Sequence, residues 1–396
     1  MYVCHRVPFP PKRGGKIRPF NMIRHLSDTG HDVTVASLAR NSDELGESQG
    51  LSAHCNNMLV EVISDWAAWP RMVANVPTWQ PSSFAYFHSP RLARRIHAAL
   101  AADRYDLIFV HCSSVAPYVC DVAGPAKILD YGDVDSQKWR EYAEHRTFPM
   151  SRAYWLEAVK LERVEQRLSK SFDLSTCTTR AELESLRKLG VTGPSDWCPN
   201  GVDADFFKPG TMPYDPQKIA FVGRMDYFPN QQAVHWFCSS VWPALRQARP
   251  TLQFQIVGAD PSPQVRALAQ LPGVTVTGSV ADVRPYVQSA ALTVAPLTIA
   301  RGTQNKILES MAMTTPVISS VQAVGGVDAI AGEHLLVANS PTEWVDAIGN
   351  LLNSPQRRNS LAAAARARVL SHHSWKASMA RFDTLITNVI QQKRLH

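Results

Sequence analysis

Short β-type runs alternate with helical stretches along most of the chain, and this alternation restarts after a turn-rich segment at 198–210. The first series reads MYVCH, DVTVASL, MLVEVIS, DLIFVH, AKILDYG and DLSTCTT, and the second reads KIAFVG, LQFQIVG, VTVTG, ALTVAPL and PVISS. Strands separated by helices are typical of parallel sheets covered by helices. The sequence therefore predicts an α/β protein made of two similar halves.

The length of the chain also favours two domains. Its 396 residues exceed what one ordinary hydrophobic core supports and suit two domains of about 200 residues each. We place these domains at 1–198 and 199–375. A helical C-terminal segment at 376–396 is expected to pack on the second half or to cross back to the first.

Composition argues against several classes of protein. Hydrophobic residues make up 45% of the chain, and no apolar run approaches the roughly 18 residues of a membrane span. The first residues lack the basic-then-apolar order of a secretory signal, which favours a cytosolic protein. Seven scattered cysteines without a C-x-x-C pair indicate neither a disulfide framework nor a zinc site.

A net charge of +7 favours acidic partners such as nucleoside diphosphates, anionic lipid headgroups or nucleic acid. The basic stretches KRGGKIR and SPRLARRIHAAL, the second with Arg91, Arg94 and Arg95, face either an anionic membrane or solvent alone. Nucleic acid fits least, because these stretches lack the interleaved aromatic residues of a base-stacking surface. We expect no nucleic-acid partner.

Ligands of open parallel sheets bind beyond the carboxyl ends of the strands, so the loops there are candidate sites. After the first predicted strand, Gly14 and Gly15 lie among Lys12, Arg13 and Lys16 and precede a helix. The segment is either a diphosphate-binding loop, with free helix amides facing the anion, or a flexible basic turn.

Polar side chains also follow DLIFVH and AKILDYG. His111 either bonds a sugar hydroxyl, transfers a proton, or is a satisfied structural histidine. Asp130, Asp133 and Asp135 alternate like part of a calcium loop, but the glycine and distal glutamate of an EF-hand are missing. Helix capping is therefore favoured over metal binding for at least one of them, and we predict no metal site.

Two loops of the second half carry further candidates. In FVGRMDYFPN, Gly223 is expected to allow a sharp turn, and Arg224 either pairs with phosphate or forms a surface salt bridge. In TIARGTQNKILESMAM, Gly302 and Thr303 precede a helix from about residue 304, where amides and the helix dipole attract phosphate. Glu309, inside that helix, either accepts hydrogen bonds from ribose hydroxyls or is a solvated glutamate.

Four motifs carry a resemblance to a known family: PNGVDADFFKP, GRMDYFPNQQAVHWF, VTGSVADVRPYVQSA and PLTIARGTQNKILESMAMTTPVI. Over nearly its full length the chain resembles glycosyltransferases of the GT-B fold, specifically those similar to family 4. ARGTQNKILESMAM with VCHRVPFPPKRGGKIR looks most like sugar transferases of bacterial exosortase-associated exopolysaccharide clusters. The resemblance implies two Rossmann-like domains facing each other across a cleft, with the acceptor domain first and the nucleotide-sugar donor domain second.

The family pattern contains two glutamates separated by seven residues, of which the first contacts the donor sugar and the second the ribose. Glu309 matches the second, whereas Arg301 occupies the first position. An arginine cannot accept hydrogen bonds from sugar hydroxyls, so either the donor sugar is acidic or Arg301 neutralises the leaving diphosphate. Arg224 matches the family's diphosphate-binding arginine, but FPNQ lacks the accompanying lysine, which leaves Arg301 or Lys306 for that charge.

The resemblance implies a metal-independent, retaining hexosyltransferase that moves a sugar from a nucleotide-diphosphate donor to a glycan or lipid-linked acceptor, without a cofactor. Cleft closure would exclude water and assemble a site from Gly14, Gly15, His111, Gly223, Arg224, Arg301, Gly302, Thr303, Lys306 and Glu309. The expected location is the cytoplasm, at the inner face of the membrane. A sugar-nucleotide epimerase of similar fold remains an alternative because motif likeness alone argues against it. A non-catalytic nucleotide-sugar-binding subunit is a second alternative, because Arg301 breaks the glutamate pair.

Overall fold

Two parallel β-sheets organise the chain, one in each of two structural units. The computed structural model describes residues 1–11, 14–211 and 213–395. The first unit contains Met1–Pro199 with Met379–His396, and the second contains Asn200–Ser378. The predicted boundaries after residues 198 and 375 thus fall one and three residues before these divisions.

The first unit is built on seven parallel strands. They are β1 Tyr2–Cys4, β2 Thr34–Ala39, β3 Asn57–Val62, β4 Leu107–His111, β5 Ala126–Gly132, β6 Leu174–Cys177 and β7 Ser195–Trp197. Their order in the sheet is β3-β2-β1-β4-β5-β6-β7. Cys4 pairs with His111 and His111 pairs with Asp130, so these residues lie side by side where the central strands end.

Helices of the first unit alternate with its strands. They are α1 Gly14–Asp28, α2 Ser42–Glu47, α3 Asp65–Ala74, α4 Ser82–Tyr86, α5 Pro90–Ala102, α6 Asp135–Glu144, α7 Met150–Leu168 and α8 Arg180–Lys188. Local sequence fixes several starts: the Ser89 side chain accepts from the Leu92 amide before α5, and Thr179 accepts from the Glu182 amide before α8.

The second unit contains six parallel strands. They are β8 Asp215–Val222, β9 Gln253–Val257, β10 Val274–Val276, β11 Ala290–Ala295, β12 Val317–Ser319 and β13 Leu336–Val337, in the sheet order β10-β9-β8-β11-β12-β13. β11 is buried along its whole length, and β8 is buried at Ile219, Ala220 and Phe221. Phe221, Phe254 and Leu292 belong to the hydrophobic core of this unit. All strand pairs in this sheet are parallel, as the prediction of an α/β fold requires.

The remaining helices complete the second unit and return to the first. They are α9 Phe228–Ser240, α10 Trp242–Ala248, α11 Pro263–Ala267, α12 Arg284–Gln288, α13 Asn305–Ala312, α14 Val321–Val324, α15 Pro341–Asn353, α16 Pro355–His372 and α17 Trp375–Leu395. Short 3₁₀ helices occupy Ser48–His54, Ser113–Tyr118 and Leu268–Gln270. α17 begins in the second unit, and its residues from Met379 onward belong to the first.

The observed architecture confirms the predicted α/β class and the helical C-terminal segment. Every predicted strand is present, whereas β7 and β13 were not predicted. Both are edge strands, of three and two residues, which is too short for a hydrophobic period to appear in the sequence. Within the described ranges, no helix combines the length and the apolar character that crossing a membrane requires.

Candidate functional site

In the second unit, the segment between β11 and α13 holds several of the predicted donor-site residues. Gly302 has a φ of +62°, in the left-handed region that glycine adopts most readily. A Cβ on Gly326 would lie 2.0 Å from the Gly302 carbonyl oxygen, so the two glycines allow a close approach of backbone. α13 begins at Asn305, one residue after its predicted start.

The start of α13 leaves polar groups available to a ligand. Gln304, at the N-cap, makes no side-chain capping hydrogen bond to the first helix amides. The Thr303 hydroxyl oxygen is buried and has no hydrogen-bond partner in the part of the chain that the structure describes. Because helix amides attract anions and buried hydroxyls need partners, Gly302 and Thr303 form a candidate phosphate site.

Glu309 lies inside α13 and is half-buried. Its carboxylate makes no hydrogen bond or ion pair with other described residues. Burial raises the pKa of Glu309 to about 7, and the charge of Lys306 opposes that rise. The carboxylate is therefore not the fully solvated group of the alternative prediction, and its oxygens can accept hydrogen bonds from a ligand.

Lys306 lies one turn before Glu309 on the same helix. Its Nζ donates a 2.5 Å hydrogen bond to Asn230 Oδ1 and lies 4.6 Å from the centroid of the Phe221 ring. Burial lowers the pKa of Lys306 to about 7, while Glu309 acts in the opposite direction. Lys306 is therefore the cation placed closest in sequence to the open start of α13.

Asn230 is a residue of this site that sequence reasoning missed. It is 5% exposed, and its Nδ2 donates a 2.7 Å hydrogen bond to the carbonyl oxygen of Arg224. Asn230 therefore connects Lys306 to the backbone that follows β8. The available signal was its position: α9 buries Asn230, Val234 and Phe237 at helical spacing, and a polar residue on such a stripe usually has a buried partner.

Gly223 and Arg224 follow β8. A Cβ on Gly223 would lie 2.7 Å from Asn230 Nδ2, so this glycine provides space for Asn230 rather than the sharp turn that we expected. The Arg224 guanidinium donates to Asp226, at 2.7 and 3.1 Å, and to Asp260 at 2.5 Å. This is the salt-bridge alternative of the sequence analysis, and a phosphate contact for Arg224 stays a prediction.

Arg301 precedes the phosphate candidate and is half-buried. Its carbonyl oxygen accepts a 3.0 Å hydrogen bond from Gln304 Nε2, which helps to fix the turn into α13. The structure thus brings Arg301, Gly302, Thr303, Lys306 and Glu309 together on one segment, with Gly223 and Arg224 joined to it through Asn230.

In the first unit, His111 belongs to a buried charged network. Its Nδ1 lies 2.7 Å from Asp130 Oδ2, and Thr176 donates to Asp130 Oδ1 at 2.8 Å. Arg18 donates two hydrogen bonds to the same carboxylate, at 2.9 and 2.8 Å, and one to the Cys198 carbonyl oxygen. Burial acts to raise the pKa of Asp130, but Arg18 and His111 outweigh it and hold that pKa well below its usual range.

This network fixes which ring nitrogen of His111 carries a proton. An ionised Asp130 only accepts hydrogen bonds, so His111 Nδ1 must donate. In a neutral ring Nε2 is then an acceptor, which suits a hydroxyl or a proton in transit. The network also corrects one prediction: Arg18, within KRGGKIR, is 2% exposed and therefore does not face a membrane.

The predicted glycine loop of the first unit is only partly described. Lys12 and Arg13 lie outside the described residues, and α1 begins at Gly14. Gly15 has open space where a Cβ would lie. Lys16 Nζ forms a 2.5 Å ion pair with Glu44, so its charge is already neutralised by a protein carboxylate. A diphosphate contact in this loop stays a prediction.

The carboxylates after β5 have partners within the protein. Asp135 is the first residue of α6 and pairs with Lys138 at 2.8 Å, while Val134 occupies the N-cap. Asp133 accepts a hydrogen bond from Thr178 at 3.3 Å, and burial raises its pKa. Neither side chain caps α6, contrary to the capping prediction, because α6 already starts at Asp135, one residue earlier than a capping role for Asp135 requires.

Family models match both units of the chain. A model described as glycosyl transferases group 1 matches residues 216–354, and a model described as glycosyltransferase family 4 matches residues 13–206. The two matches do not overlap and together cover the greater part of both sheets. The donor-site segment and Asn230 lie within the group 1 match, and the Asp130 network lies within the family 4 match.

Individual relatives are more distant. A D-inositol 3-phosphate glycosyltransferase from Corynebacterium aurimucosum is 24% identical over 256 residues, which is 57% of this chain and 59% of that protein. The match therefore spans less than two thirds of that relative's length.

Solved structures are similar along the whole chain. A sucrose-phosphate synthase from Thermosynechococcus elongatus has a TM-score of 0.74 at 17% identity, over 99% of each chain. HepE from Anabaena, solved in complex with UDP, has a TM-score of 0.71 at 14% identity, over 98% of this chain and 99% of that one. At these identities the similarity shows a shared fold.

Proposed function

Because the chain belongs to the GT-B glycosyltransferases with group 1 and family 4 domains, we propose that it transfers a sugar from a nucleotide-diphosphate donor to a glycan or lipid-linked acceptor. The observation that carries this proposal is the Glu309 carboxylate, half-buried and without a hydrogen bond to any described residue, on the helix whose open start follows Gly302. A carboxylate so placed suits the paired hydroxyls of a ribose.

The second unit is proposed to bind the donor. Glu309 accepts hydrogen bonds from the two ribose hydroxyls, each of which is strengthened by the charge of the carboxylate. The amides at the start of α13 and the Thr303 hydroxyl bind the diphosphate. Lys306, held by Asn230, supplies a positive charge on the same helix.

Departure of the nucleotide leaves negative charge on the diphosphate. Fixed helix amides and cations stabilise that charge without reorganising, which lowers the barrier most where water is excluded. We assign this role to the start of α13, Lys306, Arg301 and Arg224, with no metal ion required. Arg224 would have to exchange Asp226 or Asp260 for a phosphate oxygen, which its partly exposed guanidinium permits.

The first unit is proposed to bind the acceptor. Asp130 accepts the hydrogen bond that His111 Nδ1 donates, which leaves Nε2 as the acceptor of a neutral ring, so His111 can bond a sugar hydroxyl or receive its proton. Gly14 and Gly15, at the start of α1, remain candidate anion ligands. Retention of anomeric configuration is proposed from the family resemblance.

A role in bacterial exopolysaccharide biosynthesis is proposed from the likeness of ARGTQNKILESMAM and VCHRVPFPPKRGGKIR to such transferases. We propose a cytoplasmic protein that contacts the inner face of the membrane. Arg91, Arg94 and Arg95 are all exposed on α5, but Arg95 forms an ion pair with Glu61 at 2.8 Å. Arg91 and Arg94 are therefore better placed than Arg95 to meet an anionic lipid surface.

Calorimetric titration with UDP, GDP and ADP in the presence of EDTA tests the donor site. HepE, a structural relative, was solved in complex with UDP, so UDP is the first nucleotide to try. We expect one nucleotide to bind wild-type protein and Glu309→Ala to lose about tenfold to 100-fold in affinity, the equivalent of losing one or two charged hydrogen bonds. Glu184→Ala, which removes an exposed glutamate from α8, is the matched control and should bind as wild type does.

Each outcome bears on the function. Absence of binding for all three nucleotides would overturn the donor-site assignment, and binding that requires a divalent ion would overturn metal independence. If the nucleotide sugar binds but neither transfer nor an altered sugar is detected, a binding subunit replaces the transferase. An altered free sugar nucleotide would instead indicate an epimerase.

A further inference from the structure

Helix α3 of the first unit presents an apolar face to solvent. Trp66, Trp69 and Val73 are 92%, 56% and 61% exposed. At about 100° per residue these three side chains lie within a narrow arc of the helix. Ala68, on the opposite side, is fully buried. The helix thus reverses the usual arrangement, because its largest apolar side chains face away from the core.

The exposed apolar surface continues past the end of the helix. Val76 is 48% exposed and Trp79 is 65% exposed. The backbone at the end of α3 is held by α7, because Lys160 on α7 donates hydrogen bonds to the carbonyl oxygens of Asn75 and Val76 at 3.0 and 2.8 Å. The tryptophans are therefore displayed on a supported segment. Contiguous exposed apolar surface of this kind is typical of an interaction site.

Charge indicates what covers this face. Residues 66–102 contain four arginines and no aspartate or glutamate. The stretch includes α5, where Arg91 and Arg94 are exposed, and Arg71 on α3 ties the two regions together by donating a 2.7 Å hydrogen bond to the His88 carbonyl oxygen. Tryptophan is enriched at the boundary between lipid headgroups and acyl chains, and arginine binds anionic headgroups.

We propose that Trp66, Trp69 and Val73 of α3 form a membrane-docking face that inserts into the headgroup region of an anionic bilayer. The inference deepens the membrane contact of the proposed function by naming the side chains that enter the lipid. Arginines of the same acid-free stretch supply the attraction, and the indoles supply the apolar area that is removed from water. A second copy of the chain suits this face poorly, because a symmetric dimer would place arginine-rich surface against itself.

Flotation of the full chain with vesicles tests the docking face. We expect wild-type protein to float with vesicles of phosphatidylcholine and phosphatidylglycerol, and to bind phosphatidylcholine vesicles far less. Trp66→Ser/Trp69→Ser should lower the partition coefficient by about tenfold or more, because two indoles no longer leave water. Ionic strength of about 1 M, where the Debye length is about 3 Å, should weaken wild-type binding as well.

A matched control removes exposed apolar side chains elsewhere. Leu370→Ser/Ile330→Ser changes two residues of the second unit that are 47% and 53% exposed, and it should float as wild type does. Nucleotide titration of the tryptophan variant reports whether the donor site is intact, so loss of docking is distinguishable from failure of the transferase proposal. The flotation assay contains no nucleotide, so it tests membrane docking even if no nucleotide binds to the protein.

Three results would overturn the proposal. The first is wild-type protein that fails to float with the anionic vesicles, and the second is a tryptophan variant that floats equally well. The third is light scattering that shows a wild-type dimer converted to a monomer by Trp66→Ser/Trp69→Ser, because the face would then be a contact between copies of the chain.

Discussion

Charged residues gather near the carboxyl ends of strands in both units, but the two groups differ in how completely they are paired. In the first unit, Asp130 is fully buried and accepts four hydrogen bonds, from Arg18, His111 and Thr176. In the second, Lys306 has one side-chain hydrogen-bond acceptor, Asn230, and the Glu309 carboxylate has no described partner.

The difference shows how similar residue types serve different purposes. Full pairing stabilises charge and pushes the pKa of Asp130 far from neutrality, so this carboxylate orients His111 and does not itself exchange protons. In the second unit, pairing does not offset burial, so the pKa values of Lys306 and Glu309 lie near neutrality. Both side chains can still form hydrogen bonds to a ligand. The first group is therefore expected to govern stability and the second to govern binding.

The largest effect should follow from breaking the paired group. Arg18→Met removes the guanidinium and leaves the Asp130 charge buried, which should lower the free energy of unfolding by about 3–5 kcal/mol. Urea-induced unfolding measures the loss. Arg24→Met, on the exposed side of the same helix, should cost less than about 0.5 kcal/mol. Equal losses for the two variants would contradict a special role for the Asp130 network.

The second group should respond in binding instead. Lys306→Met should weaken UDP binding by about 1.5–3 kcal/mol, because a charge close to the diphosphate is lost. Uridine, which has no diphosphate, should bind both proteins alike in the same calorimeter. Lys376→Met, which removes an exposed lysine from α17, serves as the control. An equal loss for UDP and uridine would place Lys306 away from the phosphates.

A smaller effect is expected from the residue that positions Lys306. Asn230→Ala removes the acceptor of Lys306 Nζ and should lower UDP affinity by about 1 kcal/mol, or roughly fivefold. Gln231→Ala removes a neighbouring side chain that donates to the Met225 carbonyl oxygen at 2.8 Å but does not contact Lys306. Calorimetry should find UDP affinity unchanged in that control. A similar drop in both variants would indicate a general loosening of the loop.

The smallest effect is a dependence on pH. Burial raises the pKa of Glu309 and lowers that of Lys306, each to about 7. Affinity for a nucleotide sugar should therefore fall below neutral pH as Glu309 is protonated, and above it as Lys306 loses its proton. The expected change is about threefold between pH 7 and pH 6.

Two variants separate the limbs of this profile. Glu309→Gln should abolish the acid limb, and Lys306→Met the alkaline one. A nucleotide sugar is the better ligand here, since its diphosphate has no terminal group that titrates near pH 6. A flat wild-type profile would show that neither group changes its charge in the free protein over this range.

The fold was largely predictable because parallel sheets leave a strong pattern in the sequence. Buried runs such as LIFVH and KIAFV are separated by helices, and every run predicted as a strand is one. Partners of charged residues were not predictable in the same way. Arg18 and Asp130 are 112 residues apart in the chain, so nothing local distinguishes Arg18 from the basic residues around it.

The candidate site was predictable to the extent that it is local. Gly302, Thr303, Lys306 and Glu309 lie within eight residues, and their order along a strand, turn and helix indicates an anion site followed by a carboxylate. Asn230 was missed because its partner Lys306 is 76 residues away. The pairing of Arg224 with Asp260 could not be predicted from the sequence either, because Asp260 lies in the loop after a neighbouring strand.

Helix α17 has a consequence for how the protein is made. Phe382 packs against Phe109 with ring centroids 5.3 Å apart, and Arg381 donates to the Trp197 carbonyl oxygen and to Asp196. These contacts complete the first unit, yet a ribosome delivers them only after it has synthesised the whole second unit. At about 5–20 residues per second, the nascent first unit spends tens of seconds with the Phe109 side of its sheet uncovered.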